Sequence, residues 1–144
     1  MEEALDNQIV ESYPHLYKNR YKSMQETCMC WGFDCDEGWF DLIDELSKNL
    51  EEEILKLSAE ERIHYGAAQV KEKFGGLRFY MDCATDYMIE LIDEAEKKSY
   101  TICEVCGGLG KLCSAGVWLK TLCKRCLKDP RFENYEWIKK ESEV

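Results

Sequence analysis

Four cysteines near the C-terminal end have the spacing of a metal-binding site. Two residues separate Cys103 from Cys106, two separate Cys123 from Cys126, and sixteen residues lie between the pairs. A C-x2-C turn directs two thiolates at one point, so two such turns complete a tetrahedron of the kind that binds Zn²⁺. Because the protein would supply all four ligands, no position stays open for water or substrate. The pattern therefore predicts one structural zinc ion rather than a catalytic one.

Five further cysteines bring the total to nine, an odd number. Cys113 lies between the two pairs and is expected to be a small core residue rather than a competing ligand. Cys28, Cys30 and Cys35 would need a fourth ligand, for example Cys83, to bind a second metal. Their spacing does not match a common site, so burial is the favoured interpretation and a second metal is the open alternative.

No catalytic residue is predicted. The two histidines, His15 and His64, are not accompanied by a recognisable Ser or Cys nucleophile motif. The many paired carboxylates lie on helix faces that are expected to be solvated, where nothing raises their pKa. The sequence therefore favours a protein that is not an enzyme.

Charge is divided unevenly along the chain. Residues 1–102 contain 11 Lys and Arg against 23 Asp and Glu, whereas residues 103–140 contain 8 against 4. The overall net charge of −10 argues against a protein whose whole surface coats nucleic acid. The basic end is the exception, and its candidate contacts to nucleic acid or to a partner are Trp118, Lys120, Lys124, Arg125 and Lys128.

Length and composition predict one compact domain, or one domain with a small metal-stabilised module. The chain has 144 residues, 45% of them hydrophobic. No apolar run approaches the ~20 residues of a membrane helix, and Met1-Glu2-Glu3-Ala4 does not resemble a signal peptide. We therefore expect a cytoplasmic protein with reduced thiols and without a membrane partner.

Hydrophobic periodicity predicts helices in the acidic part of the chain. The three clearest are a short one that ends before Tyr13, a long one from Asp36 to about Leu57, and one from about Asp86 to Lys98. Ser58 and Glu61 have the spacing of a capping box. A further helix is therefore predicted to start there, to bury Val70 and Phe74, and to end at Gly75-Gly76.

Alternating side chains predict a strand over residues 77–83, and the segment 20–33 is its predicted partner because a lone strand is not stable. A hairpin that turns at Ala115-Gly116 is predicted between the cysteine pairs, and a C-terminal helix is predicted to start at Asp129-Pro130. The predicted fold is α+β, with a helical layer against a small antiparallel sheet and a zinc-ribbon or treble-clef module. We divide it into an acidic body, residues 1–100, and a C-terminal module, residues 101–144.

The segment Lys73-Phe-Gly-Gly-Leu-Arg-Phe-Tyr80 resembles a group of small, uncharacterised phage and prophage proteins. The resemblance extends to residues 28–39 and to the C-terminal C-x2-C pairs. It carries no catalytic residues to this chain, and it implies a phage gene product that acts inside a bacterium.

Two functions follow as hypotheses. The first is a phage-encoded, non-enzymatic, zinc-stabilised protein that binds a host or phage protein, with inhibition of a bacterial defence system as one such role. The alternative is a zinc-dependent nucleic-acid-binding regulator that uses the basic module. The aromatic content, 12%, also leaves self-association open.

Overall fold

The structure is a computed structural model and describes residues 1–139. Its helices are α1 (Glu3–Ser12), α2 (Phe40–Leu55), α3 (Ala59–Arg62) and α4 (Asp86–Ser99). Its strands are β1 (Phe33–Asp34), β2 (Ala67–Lys73), β3 (Gly76–Met81), β4 (Lys111–Ala115), β5 (Trp118–Leu122) and β6 (Glu136–Trp137). The strands form two three-stranded sheets, in the orders β1-β2-β3 and β5-β4-β6. The predicted α+β class is thereby confirmed. Within residues 1–139 there is no helix with the length and apolar character that crossing a bilayer requires.

The predicted helix through Val70 and Phe74 is wrong beyond its first turn, α3. The chain forms β2 instead, which pairs antiparallel with β3 and places Lys73 opposite Gly76. The two residues of the turn, Phe74 and Gly75, have φ angles of 55° and 83°. Positive φ at both positions is what a type I′ hairpin turn requires. Gly75 therefore serves a hairpin, and the ladder between the strands satisfies the backbone groups that a helix would have paired internally.

Strand β3 alternates as predicted at Leu77, Phe79 and Tyr80, the first two buried and the third exposed. It ends at Met81, two residues before the predicted end, and Cys83 is exposed. The predicted partner of β3 is wrong, because β2 occupies that position. The segment 20–33 contributes only Phe33, the first residue of β1, which pairs in parallel with Val70 of β2. Most of the segment consists of turns. Because β1 pairs in parallel with β2, the sheet of the body is mixed rather than purely antiparallel.

The apolar stripe of α2 faces the core as predicted. Ile43, Leu50 and Ile54 are fully buried, and α2 packs on α4, which in turn covers β3. Trp39 is also fully buried, but it belongs to a 3-10 turn that precedes α2. The predicted cap of α3 is present, since the Ser58 hydroxyl accepts a hydrogen bond from the Glu61 amide.

The C-terminal module contains the predicted hairpin, in which β4 and β5 pair from Lys111 and Leu122 to the turn. The predicted C-terminal helix is wrong in residues 130–139. Pro130–Phe132 form a single 3-10 turn, and β6 then pairs with the free edge of β4. The open edge of β4 offers hydrogen-bond partners to an extended segment, and this pairing outweighs the local preference for a helix. Residues 140–144 of that predicted helix lie outside the described residues.

The module packs closely against the start of α2. The Gly38 amide donates a 2.7 Å hydrogen bond to the Glu104 carbonyl, and the Trp39 indole N–H donates to the Ile102 carbonyl at 2.9 Å. A Cβ atom on Gly38 would lie 2.1 Å from the Cys103 carbonyl oxygen. Only glycine permits so close an approach of two backbones.

We expect Gly75→Ala to lower the free energy of unfolding more than Gly116→Ala. Both residues lie in hairpin turns with positive φ, 83° and 63°, where a Cβ atom costs about 1 kcal/mol. A Cβ on Gly75 would also lie 2.5 Å from Cδ1 of Leu112, whereas one on Gly116 meets nothing within 4 Å. Urea denaturation should show an additional loss of about 1–3 kcal/mol for Gly75→Ala. Equal losses would mean that Leu112 moves aside without cost.

Candidate metal centre

The four cysteines of the C-x2-C pairs converge on one point. Their Sγ atoms all lie within 4.8 Å of one another, and those of Cys106 and Cys123 are 3.6 Å apart. Four sulfurs bound at about 2.3 Å to a tetrahedral ion are about 3.8 Å apart. The cluster of Cys103, Cys106, Cys123 and Cys126 therefore has the size of a four-coordinate site and could bind a metal ion.

Two glycines shape the first C-x2-C turn. Gly107 has φ of 80°, and its amide donates a 2.9 Å hydrogen bond to the Cys103 carbonyl. The Gly108 amide donates to Sγ of Cys106 at 3.4 Å. A backbone N–H directed at sulfur stabilises the thiolate over the thiol. The first turn thus directs a backbone donor at one of the four sulfurs.

The second turn repeats this arrangement without glycine. The Cys126 amide donates to Sγ of Cys123 at 3.3 Å, and the Leu127 amide donates to the Cys123 carbonyl at 3.0 Å. After the second pair the chain forms a 3-10 turn, Cys126–Lys128. It ends before Pro130, since proline disfavours helix in the residue before it. Without a helix after Cys126 in the described residues, the module fits a ribbon better than a treble clef.

The thiols of the cluster differ in acidity. Burial raises the pKa of Cys126 to about 12, and its hydrogen bonds with the neighbouring thiols add to the increase. Burial also raises the pKa of Cys123, but hydrogen bonds from the Cys126 amide and from the other thiols outweigh it and lower the pKa to about 7. A cluster of this kind cannot carry four negative charges by itself. A bound divalent cation would neutralise two of these charges.

The remaining cysteines do not form a second cluster within residues 1–139, where the C-x2-C pairs form the single group of three or more potential ligands. Cys28 and Cys83 are exposed, and Cys30 donates its S–H to the Thr27 carbonyl. Cys35 and Cys113 are buried, and burial raises the pKa of both thiols, that of Cys113 to about 11. Cys35 and Cys113 thus behave as core residues.

Lys120, one of the five candidate contacts, forms ion pairs within the protein. Its ammonium group donates to Glu72 at 2.7 Å and to Glu104 at 3.1 Å, across the junction between body and module. Lys120 and the two glutamates form an ion triad in which Glu104 is almost fully buried. Lys120 therefore holds the two parts together.

The other four candidate contacts lie at the surface. Lys124, Arg125 and Lys128 are exposed, and 71% of Trp118 is exposed. Arg125 lies beside the cysteine cluster, and a hydrogen bond with Cys106 raises the pKa of its guanidinium. Trp118 lies at the start of β5, next to the hairpin turn.

Glu104 is a central residue that sequence analysis did not identify. Its amide donates to the Thr121 carbonyl at 3.0 Å, its carbonyl accepts from Gly38, and its carboxylate accepts from the Asp36 amide at 3.1 Å and from Lys120. Burial raises the pKa of Glu104, and the Lys120 charge opposes this increase. In the sequence its only signal is its position next to Cys103.

Loss of metal is expected to destabilise the protein. Elemental analysis of the purified chain should find one ion per molecule, and Cys123→Ser should lower both the metal content and the melting temperature. Structural sites of four cysteines contribute on the order of 10 kcal/mol, so the loss should be large. Cys83→Ser is the matched control, because Cys83 is exposed and lies outside the cluster. A metal-free chain of unchanged stability would contradict this expectation.

We expect Lys120→Met to lower the free energy of unfolding by about 3 kcal/mol, because it leaves the buried Glu104 carboxylate without its cation. Lys124→Met removes the same charge from an exposed position and should change it by less than about 0.5 kcal/mol. Chemical denaturation of the two variants measures the difference. Similar values for both would show that the triad does not hold the junction.

Comparison with known proteins finds no family, no curated protein and no solved structure that matches this chain.

Proposed function

We propose that this chain is a non-enzymatic protein whose module is stabilised by one structural Zn²⁺ and which binds a partner protein. The closed ligand set carries the first part of the proposal. Cys103, Cys106, Cys123 and Cys126 would fill all four positions of a tetrahedral ion. Such an ion can bind neither water nor substrate, and it therefore stabilises the fold without taking part in a reaction.

Zinc is the ion that fits these donors best. Thiolates are soft ligands that favour Zn²⁺, Cu⁺ and iron–sulfur clusters over Mg²⁺ or Ca²⁺. Zn²⁺ combines a tetrahedral preference with the absence of redox chemistry, as a structural role in a small module requires. The two C-x2-C turns with amides directed at sulfur suit this ion.

Exposed apolar side chains carry the second part of the proposal. Phe74 is 58% exposed, Val117 83% and Trp118 71%, and all three lie in or next to hairpin turns. Exposed apolar side chains that lie together at the surface are typical of protein-binding sites. The partner that we expect, a host or phage protein, follows from the resemblance to phage proteins alone. Inhibition of a bacterial defence system has the same basis.

A nucleic-acid-binding regulator is the second candidate, and it is favoured by the exposed Lys124, Arg125 and Lys128 on the module. The engagement of Lys120 with Glu72 and Glu104 weakens it. The acidic body also repels a long duplex unless it faces away.

Affinity capture and gel shifts should separate the two candidates. With the wild-type chain as bait in bacterial extract, we expect one stoichiometric protein partner. The triple variant Lys124→Glu, Arg125→Glu, Lys128→Glu should retain that partner, because the charges it reverses lie outside the exposed apolar surface. Gel shifts with single- and double-stranded DNA and RNA should show no salt-dependent binding. Recovery of nucleic acid alone, lost in the triple variant, would overturn the proposal in favour of the second candidate.

A further inference from the structure

We infer that a groove between the two hairpin turns binds an extended segment of a partner protein, in which a large apolar side chain stands next to a carboxylate. This inference deepens the proposed function, on which it rests, by assigning the surface and the chemistry of the partner. The groove is formed by Phe74 and its neighbours on one side and by Val117, Trp118 and Leu119 on the other, with Tyr135 also in its wall.

The groove has the size and lining of a side-chain pocket. Its volume is about 410 Å³, which lies within the range of ligand-binding clefts, and its walls are mainly apolar. Phe74 comes from the body and Trp118 from the module. Thr121 donates a hydrogen bond to the Gly75 carbonyl at 2.7 Å, which fixes the two walls relative to one another. Because the groove is preformed, binding of a segment does not include the free-energy cost of ordering the groove walls.

Phe74 occupies a backbone conformation that its side chain does not favour. It is the one non-glycine residue with positive φ in residues 1–139, at a turn position where Asn or Gly is preferred. An aromatic residue there costs free energy, and 58% of its surface is left in water, so burial does not offset that cost. Strain of this kind that brings no gain in stability indicates a residue used for binding.

The backbone of Leu119 offers a strand edge on the same side. Thr121 on β5 directs its carbonyl away from β4, to the Glu104 amide, and the Leu112 carbonyl on β4 points to Ile138. Groups two residues apart on a strand point the same way, so the N–H and C=O of Leu119 also point away from β4. Neither has a hydrogen-bond partner among residues 1–139. An extended segment can pair with them.

Charge selects the type of segment. Of the charged residues in the groove, Glu72 and Lys120 form an ion pair with one another. Lys73 makes no ion pair with any described residue, and its ammonium group lies 5.4 Å from the centre of the Phe74 ring. A carboxylate next to an inserted apolar side chain would therefore meet an unpaired cation at the rim.

Selection from a displayed library of random linear peptides tests this inference on the metal-loaded chain. We expect the selected peptides to share a large apolar residue adjacent to Asp or Glu. A fluorescent copy of one of these peptides should bind the wild-type chain. It should bind the Trp118→Ala, Phe74→Asn and Leu119→Pro variants at least about tenfold more weakly. Lys73→Gln should weaken the binding of acidic peptides more than the binding of their amide analogues.

The variants separate binding from folding. Phe74→Asn puts a preferred residue into the turn, so the melting temperature should stay equal or rise while peptide binding falls. Leu119→Pro removes an N–H that points away from β4, together with the Leu119 side chain in the groove wall. Trp31→Ala is the matched control, since Trp31 is 70% exposed and lies outside the groove. Peptides that bind the Phe74→Asn and Trp118→Ala chains as tightly as wild type, or a selection that yields none, would overturn the inference.

Failure of this test is distinguishable from failure of the proposed function. A protein partner that is captured equally by wild type and by Trp118→Ala would leave the proposed function in place and would reject the groove. Two other occupants have their own signatures, and each would overturn the inference. A second copy would give a dimer in light scattering that Trp118→Ala dissolves, and single-stranded DNA would bind with a steep salt dependence.

Discussion

One buried carboxylate connects the sulfur cluster, the start of α2 and strand β5. Glu104 follows Cys103 of the sulfur cluster, receives hydrogen bonds from the Asp36 amide and from Lys120, and pairs its backbone with Gly38 and Thr121. A charge taken out of water is costly unless it is matched by such donors. The match therefore restricts how the first C-x2-C turn, the start of α2 and the strand β5 can be arranged. The positions of the sulfur cluster and of the groove walls both follow from this restriction.

The sulfur cluster could be predicted from the sequence, whereas the junction could not. C-x2-C pairs are local signals, because each turn brings its own two ligands together whatever the rest of the chain does. The hairpin between the pairs was equally local. Glu104 and Lys120 lie 16 residues apart and meet Glu72 from another part of the chain. Only the tertiary structure could show that Lys120 pairs with both glutamates at the junction.

Strand β2 illustrates a different limit. Ala67, Val70 and Phe74 recur at helical spacing, and a capping box precedes them, so the pattern predicted a helix. Pairing with β3 on one side and β1 on the other decided the outcome, together with a turn in which Phe74 accepts positive φ. The C-terminal segment shows the same effect, since the open edge of β4 turned a predicted helix into β6. In both places a neighbouring strand outweighed local propensity.

The junction also has a consequence for the order of folding. The thiols of Cys103 and Cys126 are 23 positions apart, whereas Gly38 and Glu104, which meet in the native state, are 66 apart. Closing a longer loop costs more chain entropy, and contacts between distant residues slow folding. The module can therefore form early from its own contacts. We expect its docking onto the body to be the rate-limiting step of folding.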